Sequence, residues 1–410
     1  MSSASSCGAA PLRGAMIGFG FIGAQGHLPA YFERTRTRGD IHIEAVADTC
    51  PARRALARSL YPTLRVYDTY QALLSAEAAQ LDFVDICTPP CDHAPIAHAA
   101  MAAGLHVLCE KPLTTTLCDA EQLLARASAA RRVLFPCHNY KHAPVIQAIR
   151  ACLDGERIGA VSSVSLNTMR NTHAKGVTEW HTHWRRHQEY SGGGIVMDHG
   201  SHSFYLLFDW FGAYPESVTA RTTNLAPDRY DTEDNASIVL TFPSGFATVQ
   251  LSWTAGVRKV QYALHGDAGA ITVDDDALEL AVMRRHDGPD VAQGAVAWEI
   301  ERQSIASHWG DASHTAWFDA LLTRFIGAIA TDDYVGKDAI DAYHCIATIS
   351  AAYASAANGC QEIALCDVVG VRARTGTTLL AQRHCGTESP AVVAESVFRA
   401  AAASPARNVV

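Results

Sequence analysis

Three groups of residues in this 410-residue chain have types and spacings suited to chemistry. The first is Asp198 and His202, at the end of Ser191-Gly192-Gly193-Gly194-Ile195-Val196-Met197-Asp198-His199-Gly200-Ser201-His202. Its glycines suit a backbone lying close to something, and the apolar residues after them suggest a helix. On a helix, Asp198 and His202 share one face, while His199 points to another. A carboxylate beside an imidazole can orient the ring and tune its basicity; a polar pair satisfied in the core is the plainer alternative. The second group is Glu110-Lys111-Pro112, directly after the apolar run Leu105-His106-Val107-Leu108-Cys109. Pro112 fixes its φ and lacks a donor, so Lys111 sits in a defined turn; a solvated surface ion pair is the plain alternative. The third is Gly18-Phe19-Gly20-Phe21-Ile22-Gly23, a glycine pattern that cradles phosphates.

The elements around these groups decide between the readings. Gly14 to Ile17 leads into the glycine turn, and a helix follows over Leu28 to Arg36. Gly26 and Pro29 make the opening of that helix irregular or kinked. The strand Ile43 to Ala47 ends at Asp48. This strand–turn–helix–strand–acid order is that of a dinucleotide-binding unit, with the helix N-terminus facing the phosphates. Asp48 is placed to bond a ribose hydroxyl and to repel a 2′-phosphate, which favours NAD; Arg53 and Arg54 keep NADP as the alternative. A glycine pattern alone also opens methyltransferase cofactor sites and ligand-free turns. Here Phe83 to Cys87 is a further buried strand ending at Thr88-Pro89-Pro90, and Ala94 to Ala103 is helical up to Gly104. Alternating strands and helices imply a parallel doubly wound sheet whose ligand lies beyond the strand ends, where Thr88-Pro89 and Lys111 fall. His93 is expected to shape the cofactor loop.

From Thr219 to Leu280 apolar and polar residues alternate, as in Ser237 to Phe242, and turn signals such as Pro243-Ser244-Gly245 separate the runs. This describes antiparallel strands with one covered face, and an open sheet that needs a partner copy: a homodimer or homotetramer. Helices are expected over His314 to Ile329 and Ala339 to Asn358, the second closed by Gly359.

Bulk properties narrow the function. The length implies two domains, and 48% hydrophobic residues provide ample core. A formal charge of -9 without a Lys/Arg run speaks against nucleic acid. Twelve scattered cysteines form no C-x-x-C pair. No apolar run approaches a membrane span, and Met1 to Arg13 lack a signal-peptide core, so a cytoplasmic protein with reduced thiols is expected. His181-Thr182-His183 lacks a third ligand at useful spacing, so no metal is expected.

In order, Gly18-x-Gly20-x-x-Gly23, Asp48, Thr88-Pro89, Glu110-Lys111-Pro112, Trp184-Arg185, Gly192-Gly193-Gly194 and Asp198-x-x-x-His202 resemble the glucose-fructose oxidoreductase/inositol dehydrogenase/MocA family. Asp231 to Asn235, Gly245 to Trp253 and Ala351 to Ser355 are similar to its later segments, so the likeness spans roughly residues 14 to 365. It implies an α/β protein: a Rossmann domain over 14–137, then a substrate and oligomerisation domain over 138–365 built on a large, open, mostly antiparallel sheet. Residues 1–13 are left as a flexible start and 366–410 as an extension.

The resemblance also implies NAD(P)-linked oxidation or reduction of a secondary alcohol on a sugar, cyclitol or related polyol. Its catalytic residues fall on Lys111, Asp198 and His202. Cofactor contacts are expected from Gly18, Gly20, Phe21, Ile22, Gly23, Asp48, Thr88, Pro89, His93, Glu110 and Lys111. Substrate contacts are expected from Lys111, His142, Trp184, Arg185, Asp198 and His202. His202 would act as base, Lys111 would stabilise a developing alkoxide, and Asp198 would hold substrate or orient His202. The chain departs from the family at Lys141-His142, where Arg-Phe is usual, and at His187, where aspartate is common. A redox-neutral enzyme using NAD transiently, or a sensor without turnover, would use the same residues.

Overall fold

The computed structural model describes residues 10–285, 296–307, 309 and 314–369. Six parallel strands form the first sheet: β1 (Leu12–Ile17), β2 (Ile41–Ala47), β3 (Arg65–Tyr67), β4 (Phe83–Ile86), β5 (His106–Cys109) and β6 (Leu134–Pro136). Their order is β3-β2-β1-β4-β5-β6, which reverses between β1 and β4 and opens a crevice at their C-terminal ends. All four residues of β4 are buried, as both faces of a parallel sheet are covered. The flanking helices are α1 (Leu28–Thr37), α2 (Pro51–Leu60), α3 (Tyr70–Glu77), α4 (His93–Ala102) and α5 (Leu117–Ala130). The irregular opening expected at Gly26 and Pro29 takes the form of a π-helical turn, Gly23–His27, before α1. β1 starts at Leu12, inside the segment expected to be a flexible start.

After α6 (Pro144–Asp154), β7 (Val161–Met169), α7 (Gln188–Ser191) and α8 (Ser201–Phe211), the second sheet is completed. Its other strands are β8 (Ser217–Thr223), β9 (Asn235–Phe242), β10 (Gly245–Ser252), β11 (Lys259–Gly266), β12 (Gly269–Asp274), β13 (Ala277–Arg285), β14 (Val296–Ser304) and β15 (Ile363–Ala364). The order is β14-β13-β12-β11-β7-β10-β9-β8-β15, antiparallel except where β7 meets β10. Burial alternates along β9: Ile238 and Leu240 face a core shared with Phe204, Phe208 and Trp210 of α8, while Val239 faces outward.

Beyond the second sheet the chain packs back across the 137/138 division. The next helices are α9 (Thr315–Ala330) and α10 (Lys337–Ala357), followed by α11 (Leu365–Val369). Phe318, Leu321, Leu322 and Phe325 of α9 pack with Met16, Phe83 and Phe135 of the first sheet, and the Phe83 and Phe325 rings meet edge-on at 5.4 Å. The chain thus returns to cover the first domain after building the second. The expected extension beyond residue 369 lies outside the described residues.

Candidate active site

The glycine turn lies where the strand order reverses. Gly18 has φ +97°, and a side chain there would sit 2.7 Å from the Cys87 backbone, so this glycine lets the loops after β1 and β4 touch. A Cβ on Gly23 would lie 2.6 Å from the Gly18 carbonyl, whereas above Gly20 nothing among the described residues approaches within 4 Å. That open side can receive a pyrophosphate. Phe21 is exposed and Ile22 half-buried on the helix that follows. The Asp48 carboxylate accepts hydrogen bonds from the Phe19 and Cys50 amides, each at 2.7 Å, and stays half-buried at the end of β2. Arg53 donates to the Phe19 carbonyl (2.8 Å), and Arg54 to the carbonyls of Asp48 (2.9 Å) and Thr49 (2.8 Å). Both guanidinium groups are turned onto the backbone. The buried Thr88 hydroxyl has no partner among the described residues, and Pro89 leads from it towards α4.

Two residues expected to touch the cofactor lie beneath the loops instead. His93 is fully buried, with its ring nitrogens 2.9 Å from the carbonyls of Thr88 and Pro112, so it ties two strand-end loops together. Glu110 is buried, with one oxygen 2.9 Å from His27 Nε2 and the other accepting the Lys111 amide at 2.9 Å. His27 Nδ1 lies 2.7 Å from Asp85. Protein groups already occupy these polar atoms, so both residues position the loops.

Lys111 precedes a cis bond to Pro112 and reaches across the cleft. Its Nζ lies 2.6 Å from Asp198 Oδ1 and 3.1 Å from the Asp198 carbonyl. The glycines before Asp198 approach protein. Gly192 ends α7 with φ +74°, and side chains on Gly193 and Gly194 would overlap the Tyr353 hydroxyl and the Glu233 carbonyl. Glu233 accepts hydrogen bonds from the Gly194 amide (2.9 Å), the Val196 amide (3.0 Å) and Tyr353 (2.9 Å), which pins the start of the following helix.

That helix begins as a π turn, Val196–Gly200, and continues as α8. Among the described residues no hydrogen bond joins Asp198 to His202, so Asp198 does not orient that ring. His202 Nδ1 instead lies 2.6 Å from the Tyr205 hydroxyl, one turn further on, and the Tyr140 ring stacks on His202 at 3.7 Å. The Tyr140 amide donates to the Tyr205 oxygen at 3.2 Å. His199, expected on another face, stands with Nδ1 3.3 Å from Asp198 Oδ2, because the wider π turn narrows the angle between successive side chains. The Trp253 indole donates to His199 Nδ1 at 3.3 Å.

The electrostatics separate these groups. Burial alone would push the Asp198 pKa up, but Lys111, His199 and Arg185 outweigh it and hold the carboxylate ionised well below its usual range. Burial, then Lys111 and His199, push His202 well below an ordinary histidine, which favours its neutral form.

Arg185 Nε lies 3.7 Å from Asp198 Oδ2, with the guanidinium stacked over Trp184 at 4.2 Å. His142 is set elsewhere. Burial first, then Arg324, lowers its pKa to about 4, and its other charged neighbours are Asp338, Lys141 and His138 rather than Lys111 or Asp198. Its neighbour Lys141 is buried, with Nζ 2.8 Å from both Asp338 and Asp341 of α10. His181 packs against Trp180 and Tyr190, while His183 Nδ1 pairs with His173 Nε2 at 2.8 Å, so the two histidines take different partners. Sequence reading missed Tyr205 and Tyr140, and set His199 on a different helix face from Asp198. Tyr205, three residues beyond His202 on one helix, carried a local signal; the stacking of Tyr140 did not.

Residues 12–138 match a family model described as an oxidoreductase family with an NAD-binding Rossmann fold, and residues 146–272 match the GFO/IDH/MocA C-terminal domain. The chain is 29% identical over 314 residues to D-apiose dehydrogenase of Paraburkholderia graminis, covering 72% of this chain and 79% of that one. It is 28% identical over 281 residues to inositol 2-dehydrogenase of Rhizobium meliloti (65% and 78%). Over 192 residues it is 30% identical to D-glucoside 3-dehydrogenase of Escherichia coli (47% and 52%). Two solved structures share the fold. One is an oxidoreductase domain protein from Kribbella flavida, with TM-score 0.72, 21% identity, and 87% and 100% of the two chains covered. The other is levoglucosan dehydrogenase in complex with NADH, with TM-score 0.71, 20% identity, and 87% and 99% covered.

Proposed function

This chain belongs to the GFO/IDH/MocA family of oxidoreductases, and on that premise we propose that it oxidises a secondary alcohol of a sugar, cyclitol or related polyol, with NAD as cofactor. The observation that carries the reading is Lys111 Nζ, 2.6 Å from Asp198 of the other domain's helix, with neutral His202 beside it. The relatives named as dehydrogenases of apiose, inositol and glucosides support the substrate class.

The cofactor cleft fits a dinucleotide: open space above Gly20, the orphaned Thr88 hydroxyl and the half-buried Asp48 are the features it would meet. Gly18 to Gly23 would hold the pyrophosphate, Asp48 the adenosine ribose, and Thr88 and Pro89 the part nearer the reacting end. Asp48 together with the backbone-committed Arg53 and Arg54 favours NAD over NADP. Held there, NAD would supply the acceptor for a hydride from the carbinol carbon.

The protein's own groups manage the proton and the oxygen. His202 takes the hydroxyl proton at Nε2, since Nδ1 is occupied by Tyr205; for this the Nδ1 proton is donated to the Tyr205 oxygen. Lys111 donates a hydrogen bond to the reacting oxygen and stabilises negative charge as it grows. Asp198 holds the Lys111 ammonium in place from across the cleft, and its second oxygen faces Arg185 and His199. Tyr140 covers the His202 ring and keeps water from that side.

The exposed Val239, Phe246, Trp298 and Ile300 favour covering of the second sheet by another copy, as a homodimer or homotetramer. No helix among the described residues is long and apolar enough to cross a membrane. NADH formation across a panel of sugars and inositols, with NADP in parallel, tests the reading. Steady NADH release supports it. NAD binding without net NADH from any polyol would point to a redox-neutral enzyme or a sensor.

A further inference from the structure

Arg170 and the exposed Arg258 lie at the adjoining ends of two paired strands. Lys259, the first residue of β11, pairs with Met169, the last residue of β7, so one step beyond the ladder Arg258 stands opposite Arg170. Like charges directly opposite on neighbouring strands are destabilising. Among the described residues neither arginine is within ion-pair distance of a carboxylate. The nearest candidates are committed elsewhere: Asp275 to Lys259 at 3.1 Å and the Val260 amide at 2.8 Å, Asp274 to Lys259 at 2.7 Å, and Asp276 to the Ser307 amide at 3.0 Å. Arg170 donates to the carbonyls of Met169 (3.0 Å) and Lys259 (3.4 Å), which fixes the group without neutralising it.

This pair borders the active site. The Arg170 amide donates to the Ser252 carbonyl at 2.8 Å, and the adjacent Trp253 holds His199 through its indole at 3.3 Å. The charge of Arg170 reaches His199, and burial together with Arg170 disfavours the charge on Arg258. Lys111 and Arg185 flank the active-site carboxylate Asp198, and Arg170 adds a further cation that reaches the neighbouring His199.

We propose that Arg170 and Arg258 form a subsite for an anionic group of the substrate, so that the polyol oxidised at Lys111 and His202 carries an oxyanion, a carboxylate or a phosphate monoester. The inference rests on the dehydrogenase reading and adds the charge of its substrate. A planar guanidinium pair presents parallel N–H donors that match either oxyanion, and a bound anion would relieve the mutual repulsion.

The test is NADH formation by the full chain at saturating NAD, on matched sets of a neutral sugar or cyclitol, its sugar acid and its phosphate ester. An anionic member should exceed its neutral counterpart by about ten- to hundredfold in kcat/KM, the range of a charge-assisted hydrogen bond, and salt should erode that advantage. The sugar acid winning identifies a carboxylate; the ester winning identifies a phosphate. Arg170→Gln and Arg258→Gln should each raise KM for the anion by about tenfold while NAD affinity is kept, which also reports correct folding. Equal use of neutral and anionic members overturns the inference, as does a loss of NAD affinity in either variant with KM for the anion unmoved. If nothing is oxidised, the dehydrogenase reading fails. Calorimetry of the same acids and esters on the NAD-loaded protein then decides separately: binding weakened by Arg258→Gln upholds the subsite, and no binding overturns it.

Discussion

His202 Nδ1 lies 2.6 Å from the Tyr205 hydroxyl, so the proposed base takes its orientation from the next turn of its own helix. Asp198, four residues before His202, faces Lys111 across the cleft. The phenol in turn accepts the Tyr140 amide, so the loop after β6, the stacked ring and the base are set together.

Tyr205→Phe removes that hydrogen bond and keeps the buried ring. It should lower kcat by about tenfold, the worth of roughly one hydrogen bond, with KM nearly unchanged. An unaltered kcat, with a pH profile identical to that of the parent protein, would show that packing alone holds His202.

Lys111→Ala and His202→Ala each delete a group assigned to the transition state. Both should reduce kcat/KM by about 10²–10⁴-fold with NAD affinity retained. Near-parental turnover in either variant would remove that residue from the mechanism.

The pH profile has a defined direction. A base works unprotonated, so activity is lost as pH falls through its pKa. Burial and the neighbouring Lys111 and His199 lower the His202 pKa well below its ordinary 6.5. The acid limb of kcat/KM for alcohol oxidation should therefore lie below pH 6.5, and Lys111→Met should move what activity remains towards neutral pH. A limb above 6.5 in the parent protein contradicts the assignment.

His27 links stability to pH with the opposite sign. Burial is the largest single effect and disfavours its charge, but Asp85, Cys137 and Glu110 outweigh it and raise the pKa well above 6.5. A raised folded pKa contributes stability that is fully present below the unfolded value and is lost as pH rises through the folded one. Urea midpoints should thus fall on the alkaline side of neutrality in the parent protein and change less there in His27→Gln. Parallel curves for the two would dismiss the linkage.

Gly194→Ala places a methyl group against the Glu233 carbonyl, where backbone must shift. A cost of about 1–3 kcal/mol, typical of overpacking, is expected in urea unfolding, together with a fall in kcat as Asp198 moves off Lys111. Full stability and activity would show that the glycine stretch tolerates a wider path.

The features legible in the amino-acid order were local. The glycine turn, Asp48 at a strand end, the buried run Phe83 to Cys87, the irregularity at Gly26 and Pro29 and the alternation along Ser237 to Phe242 all arise from backbone freedom or periodic burial within a few residues. These were enough to outline both sheets, and the residue types in Glu110-Lys111-Pro112 and Asp198-x-x-x-His202 singled out Lys111, Asp198 and His202 as candidates. Tertiary structure decided what each side chain meets. Glu233 under Gly194, α9 returning to Phe83, Tyr140 on His202, Lys141 between two aspartates, and Arg170 opposite Arg258 each join residues far apart in the chain. His93 and Glu110 show the same limit: their types suit a ligand, yet buried carbonyls and His27 claim their polar atoms first. Such pairings follow from which apolar faces pack together, and the cost of leaving a buried polar group unpaired then selects its partner; neither is encoded in the spacing of residues along one segment.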